Sequence, residues 1–192
     1  MKEEFDKQKL ADEKLVVLLN GGDEEAFEIL YDRYAKPLLN FFFMKLKSKE
    51  KAENFLQNLF VNLIEKGSQF DEQKVFRMWF YTLAHNQCKN EYRSLSRSKA
   101  EYNNIEDNRL VNNWESSSER IDLSIFSEHL TLALNKLNDD QKSSFLLRFK
   151  YNFSMKEISE VLECSEGTTK SRLFYALKQL AKEFNPYLYS KY

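Results

Sequence analysis

The stretch from Ser154 to Phe184 constrains the fold of this chain most strongly, because it predicts two helices joined by a tight turn. Ser154 and Glu157 form a capping-box pattern, in which each side chain can accept a free backbone N–H at the start of a helix. Ser165 is suited to cap the second helix. The apolar residues of the first helix are spaced three and four positions apart and therefore share one face: Ile158, Val161 and Leu162.

The second helix of this stretch carries two contrasting faces. Its predicted apolar stripe comprises Leu173, Leu177, Leu180 and Phe184. The opposite, polar face comprises Thr168, Ser171, Tyr175, Lys178 and Lys182, with Lys170 and Arg172 on its flanks. A short helix, a turn and a longer helix with a cationic outer face are typical of a DNA-binding helix-turn-helix, whose second helix enters the major groove. An ordinary helical hairpin with solvated lysines explains the same spacing, so the pattern alone leaves both interpretations open.

The composition favours a helical protein without catalytic or metal-binding motifs. The 192 residues include only 4 Gly and 2 Pro, which disfavours a turn-rich β fold. The net charge of −1 excludes a generally basic chain, so nucleic-acid binding would have to come from local patches. Because Cys88, Cys164, His85 and His129 are isolated, we expect no disulfide, metal or cofactor site. Without a signal-peptide, membrane-span, phosphate-loop or nucleophile pattern, we expect a cytoplasmic protein that is not an enzyme.

The segment from Glu50 to Lys66 predicts an amphipathic helix that Gly67 is suited to end. Its apolar stripe comprises Phe55, Leu59 and Leu63, widened by Leu56, Phe60 and Ile64. Its polar face comprises Asn54, Gln57, Asn58 and Asn62. Such a face is usually solvated surface, although amides in place of charges are compatible with a partner contact. Upstream, Pro37 predicts either a helix break or the first turn of a helix.

The segment from Phe76 to Lys99 combines aromatic and cationic side chains. Five Lys or Arg against one Glu give it a local charge of +4. Aromatic rings beside cations are what single-stranded nucleic acid requires, because the rings stack on bases and the cations follow the phosphates. A core helix with a cationic outer face explains the same residues, and aromatics at helical spacing are usually core.

The two halves of the chain are separated by a change in composition. Residues 98–123 are polar, rich in Asn and Ser, and acidic, which indicates a linker. The helical pattern returns at Ser124, and Asn138-Asp139 is suited to cap a helix ahead of the helix-turn-helix. We therefore predict an all-α fold with two helical domains, at 10–97 and 124–186, joined by a polar linker, with the helix-turn-helix in the C-terminal domain.

The order of these segments resembles the extracytoplasmic-function (ECF) group of bacterial RNA polymerase sigma factors. The segments that carry the resemblance are Gly21–Leu38, Ala52–Phe60, Phe76–Arg93, the polar linker and Phe153–Leu173. The resemblance implies an initiation factor whose N-terminal domain binds the clamp helices of core RNA polymerase and opens the −10 element. It also implies a C-terminal helix-turn-helix that reads duplex DNA at the −35 element, with the polymerase flap as a further contact.

Three sets of site residues follow from the resemblance. The polymerase-binding set is Asn54, Gln57, Asn58 and Phe60. The set for single-stranded DNA at −10 is Arg77, Trp79, His85, Asn86, Lys89, Asn90 and Arg93. The set for the −35 helix is Ser165, Thr168, Lys170, Ser171, Arg172, Tyr175 and Lys178. No catalytic or metal-binding residue is implied.

Some positions depart from the pattern of the ECF group. Tyr175 and Leu177 stand where arginines are usual, and Glu163 stands where the turn usually has Gly. The −35 helix therefore lacks two cations, and each lost phosphate contact weakens DNA binding. Two alternatives to autonomous promoter reading stay open: delivery of the factor by another DNA-bound partner, or an adaptor protein whose helix-turn-helix binds a protein. An anti-sigma factor is a further partner that the resemblance allows.

Overall fold

The computed structural model describes residues 6–101 and 129–189, and the side chains of residues 6–95 and 129–184. These described residues form helices and short connections, with no β-strand among them, which confirms the predicted all-α fold. The chain divides into two compact units, Met1–Asn104 and Ile105–Tyr192. Most of the predicted linker, 98–123, lies outside the described residues.

The first unit contains four α-helices in its described part: α1 (Asp12–Asn20), α2 (Glu24–Leu46), α3 (Lys49–Lys66) and α4 (Phe76–Glu101). Short 3-10 segments precede α1 and follow α3, at Lys7–Lys9 and Gly67–Gln69. Side chains cap the starts of α2 and α3. Asp23 accepts the N–H of Ala26 at 3.1 Å, and Ser48 accepts the N–H of Lys51 at 3.2 Å.

Pro37 lies inside α2, so the predicted helix break or first-turn position was wrong. Proline within a helix costs about 3 kcal/mol, because it lacks an N–H and crowds the preceding turn. The helix continues because its neighbouring turns bury large side chains, each of which contributes roughly 1.5–3 kcal/mol. These buried residues are Tyr34, Leu38, Phe41 and Phe42.

Aromatic rings from α2, α3 and α4 form the core of the first unit. The ring centroid of Phe60 in α3 lies 5.4 Å from that of Phe80 in α4 and 4.8 Å from that of Tyr31 in α2. Tyr34 of α2 meets Phe76 and Phe80 edge-on, with centroids 5.4 and 5.5 Å apart. Such pairs add roughly 0.5–1.5 kcal/mol each beyond their burial. The rings hold α3 and α4 against α2 and leave the opposite faces of α3 and α4 at the surface.

A carboxylate of α1 caps the first turn of α4. Glu13 Oε1 accepts the backbone N–H of Phe76 at 2.8 Å, across 63 sequence positions. The first N–H groups of a helix have no partner within the helix, and a carboxylate beside them also interacts favourably with the helix dipole. The neighbouring Asp12 accepts hydrogen bonds from Arg33 and from the Tyr34 hydroxyl. Together Asp12 and Glu13 tie α1 to both α2 and α4.

We expect Glu13→Ala to destabilise the first unit by about 1 kcal/mol, the usual cost of losing a cap acceptor. Glu13→Gln retains an acceptor oxygen and should lose less. The measurement is hydrogen exchange at the Phe76 amide in the full chain, together with urea unfolding. Glu28→Ala is the control, because it removes an exposed carboxylate of α2. Unchanged protection of the Phe76 amide in Glu13→Ala would contradict the capping role.

The second unit contains four α-helices in its described part: α5 (129–135), α6 (Asp139–Phe145), α7 (Met155–Val161) and α8 (Glu166–Tyr189). α6 continues directly into a π-helical segment, Leu146–Lys150, in which the N–H of Tyr151 donates to the carbonyl of Leu146 at 3.1 Å. The predicted caps are confirmed, since Asn138 and Ser154 each form a capping box. The helices α7 and α8 and the turn between them form the predicted helix-turn-helix.

The buried stripe of α8 differs from the predicted one. Leu177 is 45% exposed, so its assignment to the apolar stripe was wrong. The residues that pack inward have the same spacing as the predicted set, four, three and four positions, but a different register on the helix: Thr169, Leu173, Ala176 and Leu180. Because Ala176 takes the inward position, the next residue, Leu177, is rotated about 100° towards solvent.

Candidate nucleic-acid interface

Five predicted −10 residues share one side of α4, which we call the α4 outer face: Trp79, Asn86, Lys89, Asn90 and Arg93. Trp79 and Asn86 are seven positions apart, which is two helical turns, and the other three residues lie three, four and seven positions after Asn86, so all five lie along one side of the helix. Asn90 and Arg93 are exposed, and the other three are half-buried. The opposite side of the helix packs into the core through Phe76, Phe80, Tyr81, Ala84 and Cys88. The surface therefore combines one aromatic ring, two amides and two cations.

Trp79 lies where the α4 outer face meets the aromatic core. Its ring centroid is 5.3 Å from that of Phe70 and 5.8 Å from that of Phe76. The residue is half-buried, so part of it packs on the core and part of it reaches solvent. A ring fixed in this way can stack on an unpaired base without first being ordered, and such stacking contributes about 1–3 kcal/mol per base.

Two other predicted −10 residues do not lie on the α4 outer face. His85 is only 3% exposed, because its position on the helix turns it towards the core, so the structure does not place it where it could touch DNA. Arg77 is half-buried beside core phenols. Burial raises the pKa of the Tyr81 hydroxyl, and the positive charge of Arg77 opposes that rise. The positive charge of Arg77 thus lies close enough to the core to affect the Tyr81 hydroxyl.

The outer face of α3 presents amides, whereas its predicted aromatic contact is buried. Asn54, Gln57 and Asn58 are all exposed. Phe60 is only 4% exposed, because its ring packs between α2 and α4. This corrects the expectation that Phe60 contacts polymerase directly.

The same α3 face has an aliphatic extension that was not predicted from the sequence. Val61 and Ile64 are exposed large hydrophobic residues, although Ile64 was assigned to the apolar stripe. Val61 lies one turn beyond Gln57, so the aliphatic pair continues the row of amides along the helix. The signal in the sequence was the width of the apolar stripe, which exceeds what one packed face of a helix can bury.

The α8 outer face consists of Thr168, Lys170, Ser171, Tyr175 and Lys178, all of them exposed. Ser165 caps the helix by accepting the N–H of Thr168 at 3.1 Å, and the two hydroxyls are 2.9 Å apart. The hydroxyl of Ser171 donates to the carbonyl of Gly167 at 3.0 Å. The structure therefore places six of the seven predicted −35 residues on the α8 outer face or at its cap.

Residues 6–101 and 129–189 contain no group of three or more His, Cys, Asp or Glu side chains arranged to hold a metal ion. Within the same ranges, no helix has the length and apolarity needed to cross a membrane.

Both units match family models. Residues 30–98 match sigma-70 region 2, and residues 127–180 match region 4 of sigma-70. Together the two matches span well over half of the chain, in the order that the sequence predicts. The chain belongs to the ECF group of the sigma-70 family.

Curated relatives of this sigma factor align along most of its length. The RNA polymerase sigma factor YlaC of Bacillus subtilis is 28% identical over 160 residues, which cover 82% of this chain and 91% of the relative. The ECF RNA polymerase sigma-E factor of Escherichia coli K12 is 25% identical over 190 residues, which cover 93% of this chain and 97% of the relative. These relatives are transcription factors rather than catalytic enzymes.

Two solved structures share the fold of this sigma factor. The sigma factor RpoE in complex with the anti-sigma factor NepR from Bartonella quintana has a TM-score of 0.72 at 21% identity, covering 83% of this chain and 96% of that chain. CnrH in complex with the cytosolic domain of CnrY has a TM-score of 0.69 at 19% identity, covering 92% and 99%.

Arg172 is a predicted −35 residue whose side chain contacts other residues of the second unit. Its guanidinium forms an ion pair with Asp140 at the start of α6, and it lies 3.3 Å from the sulfur of Cys164 in the helix-turn-helix turn. A guanidinium with these partners ties α8 to α6 and to the turn. The DNA contact of Arg172 stays a prediction, and its ion pair gives it a further role in holding α8 in place.

The turn of the helix-turn-helix holds a residue in the left-handed region. Glu163 has a φ of 51°, a backbone conformation that favours glycine. Gly is the residue that the ECF group usually has at this position. A side chain there costs roughly 1–2 kcal/mol. The turn keeps its shape because the N–H of Cys164 donates to the carbonyl of Ser159 at 2.9 Å, and the sulfur of Cys164 lies 3.4 Å from the hydroxyl of Thr169.

We expect Asp140 and Arg172 to be coupled in stability by about 0.5–1 kcal/mol, since both side chains are partly exposed and screened by solvent. The measurement is a double-mutant cycle of Asp140→Ala and Arg172→Ala, read from thermal unfolding of the full chain. Lys170→Ala is the matched control, because it removes an exposed cation of the same helix and should leave unfolding unchanged. Additive effects of the two alanine substitutions on unfolding would contradict the role of the Asp140–Arg172 ion pair in holding α8 in place.

Proposed function

We propose that this ECF sigma factor binds core RNA polymerase through α3, opens the −10 element with the α4 outer face, and reads the −35 duplex with the α8 outer face. In this assignment residues 10–97 form a region 2-like domain and residues 124–186 form a region 4-like domain. The acidic linker, 98–123, joins them and follows the nucleic-acid channels of the polymerase. The protein supplies promoter recognition and strand opening, while the polymerase performs the chemistry.

The observation that carries this proposal is the composition of the α4 outer face. Trp79 supplies a ring fixed on the core, Asn86 and Asn90 supply amide donors and acceptors, and Lys89 and Arg93 supply positive charge. Single-stranded DNA offers unstacked bases, base edges and phosphates, and each of these groups has a counterpart on this face. Amides and cations alone are ordinary on the solvent side of a helix, so the proposal depends on their combination with the partly exposed ring of Trp79.

We expect Lys89→Ala to reduce opening of the −10 element, because Lys89 offers one positive charge on the same face of α4 as Asn86 and Trp79. The measurement is permanganate reactivity of −10 thymines in a complex of the full chain with core polymerase, on a promoter recovered from co-purified DNA. Lys74→Ala is the matched control, since it removes an exposed lysine from the connection before α4. Equal permanganate reactivity in Lys89→Ala and Lys74→Ala would contradict this role of Lys89 and favour a purely structural role for α4.

The α3 outer face is the proposed contact for the polymerase clamp helices. Its amides, Asn54, Gln57 and Asn58, lie beside the exposed aliphatic residues Val61 and Ile64. An amphipathic surface of this kind suits a protein partner, because the aliphatic groups lose water and the amides supply directional hydrogen bonds.

The double variant Gln57→Ala with Asn58→Ala should weaken co-purification with core polymerase by roughly tenfold, which corresponds to about 1.4 kcal/mol. Both side chains are exposed, so their truncation leaves no cavity in the core. Glu28→Ala, on the exposed surface of α2, serves as the control for unspecific loss of binding. Retention of full polymerase binding by the folded double variant would overturn the assignment of α3.

Delivery by another DNA-bound partner follows from the shortage of cations on α8. Lys170 and Lys178 are the exposed cations of the α8 outer face, whereas Arg172 is paired with Asp140. Few phosphate contacts mean weak duplex binding at physiological salt. A partner bound nearby would raise the effective concentration of the factor at its promoter and compensate for that weakness.

An adaptor protein is the second candidate function, favoured by the exposed Phe174 and Leu177 on α8. In that case the helix-turn-helix binds a protein instead of DNA. Transcription from a supercoiled template by purified core polymerase and the full chain separates the two functions, since only a sigma factor should start transcripts at a defined site. An anti-sigma factor is a further proposed partner, and the solved structures of RpoE and CnrH each contain a second protein.

A further inference from the structure

We propose that Tyr175, supported by Phe174, gives the α8 helix a preference for thymine, because its ring contacts the C5-methyl group of that base in the major groove. This inference rests on the proposed function, in which α8 enters the groove of a −35 duplex. It assigns Tyr175 as the residue that determines which base pair is read at one position. The other members of the α8 outer face position the helix on the phosphates.

Two adjacent rings stand at the solvent side of α8. Phe174 is 61% exposed and Tyr175 is 56% exposed. Their ring centroids are 5.4 Å apart and the ring planes meet at 75°, so Phe174 packs edge-on against Tyr175. The inward positions on either side are taken by Leu173 and Ala176. An aromatic pair held in this way presents an apolar surface at the part of the helix that an HTH protein inserts into the groove.

Several polar groups near these rings already have partners within the second unit. The hydroxyls of Ser165 and Thr168 lie within hydrogen-bond distance of each other, and Ser171 donates to the carbonyl of Gly167. The guanidinium of Arg172 is paired with Asp140. A bidentate contact with guanine needs a guanidinium or an ammonium group at the base edge. Tyr175 has neither group, so the largest surface that it can offer to a base edge is the apolar part of its ring.

Charge identifies duplex DNA as the occupant of this apolar surface. Lys170 lies one turn before Phe174, and Lys178 lies three positions after Tyr175, so an ammonium group stands on each side of the rings along the helix. Both lysines are exposed, and within residues 129–184 neither forms an ion pair. Their long aliphatic chains allow the charges to reach outwards while the rings stay central.

Thymine is the base that matches such a surface. In the major groove its C5-methyl is the one apolar group that a base pair presents, and the same position in uracil carries only hydrogen. Burial of one methyl-sized group against a ring contributes enough for about a fourfold change in affinity. Replacing thymine by uracil thus removes the proposed contact without changing any hydrogen-bonding group of the base.

The experiment uses the full chain bound to core polymerase. DNA fragments with a fixed downstream half and a randomised upstream segment are selected for binding, and the best-bound fragment is remade with deoxyuridine in place of thymidine in the upstream segment alone. We expect an A·T pair in the selected segment and about fourfold weaker binding for each contacted methyl that is removed. The Tyr175→Ala variant should bind the thymidine fragment more weakly and lose this sensitivity to deoxyuridine.

Three further variants sharpen the assignment. Tyr175→Phe keeps the ring and should keep the ratio of the two affinities. Tyr175→Arg should lose the thymidine preference and either select guanine at that position or steepen the salt dependence by about one unit. Lys178→Ala is the matched control, because it should weaken binding to both fragments equally. Since Tyr175 is exposed, these substitutions leave the core of the second unit intact.

The possible failures are distinguishable. If the holoenzyme selects no upstream sequence at all, α8 does not read DNA, and the −35 part of the proposed function fails together with this inference, whereas polymerase binding and −10 opening have their own tests. If a sequence is selected but wild-type affinity is equal for thymidine and deoxyuridine, or the selected segment lacks A·T pairs, the thymine preference is overturned while DNA reading stands. If Tyr175→Ala keeps the ratio, the contact belongs to another residue and the assignment of Tyr175 is overturned.

Discussion

The contact between Phe60 of α3 and Phe80 of α4 is the interaction on which the proposed surfaces of the first unit depend. With their rings 5.4 Å apart, the two side chains fix the rotation of each helix about its own axis. Once those rotations are set, the amides of α3 and the Trp79 side of α4 must lie outside the core. The aromatic core thus determines which side chains are available to a partner, although Phe60 and Phe80 themselves are buried.

Local signals were sufficient to predict the helices and the helix-turn-helix. The capping boxes at Asn138 and Ser154 need residues only three positions apart, so the sequence displays them directly. The rotation of a helix is a different problem, because it depends on what the partner helices bury. Ile64 and Leu177 were assigned inward from spacing alone, and both lie at the surface.

Long-range pairing explains the remaining differences at the candidate site. Arg172 looks like a DNA contact in the sequence, since it is a cation beside serine and lysine. Its partner Asp140 is 32 positions away, and no periodicity connects the two. The contact of Glu13 with the start of α4 spans 63 positions and was equally hidden. Residue type and spacing therefore predicted which surfaces carry amides, cations and rings. They did not predict the partner of each charged side chain.

The π-helical segment Leu146–Lys150 has a consequence for how the second unit can vary in length. A π-turn accommodates one more residue than an α-turn, so deletion of one residue there would restore ordinary α-helical winding. The extra residue is held within this one turn, so the residues that follow would keep close to their present orientation relative to α6. Exposed loops usually absorb insertions and deletions, and here the end of a helix can absorb one as well. Leu146 and Leu147 are buried, so packing still constrains their side chains where the residue count can change.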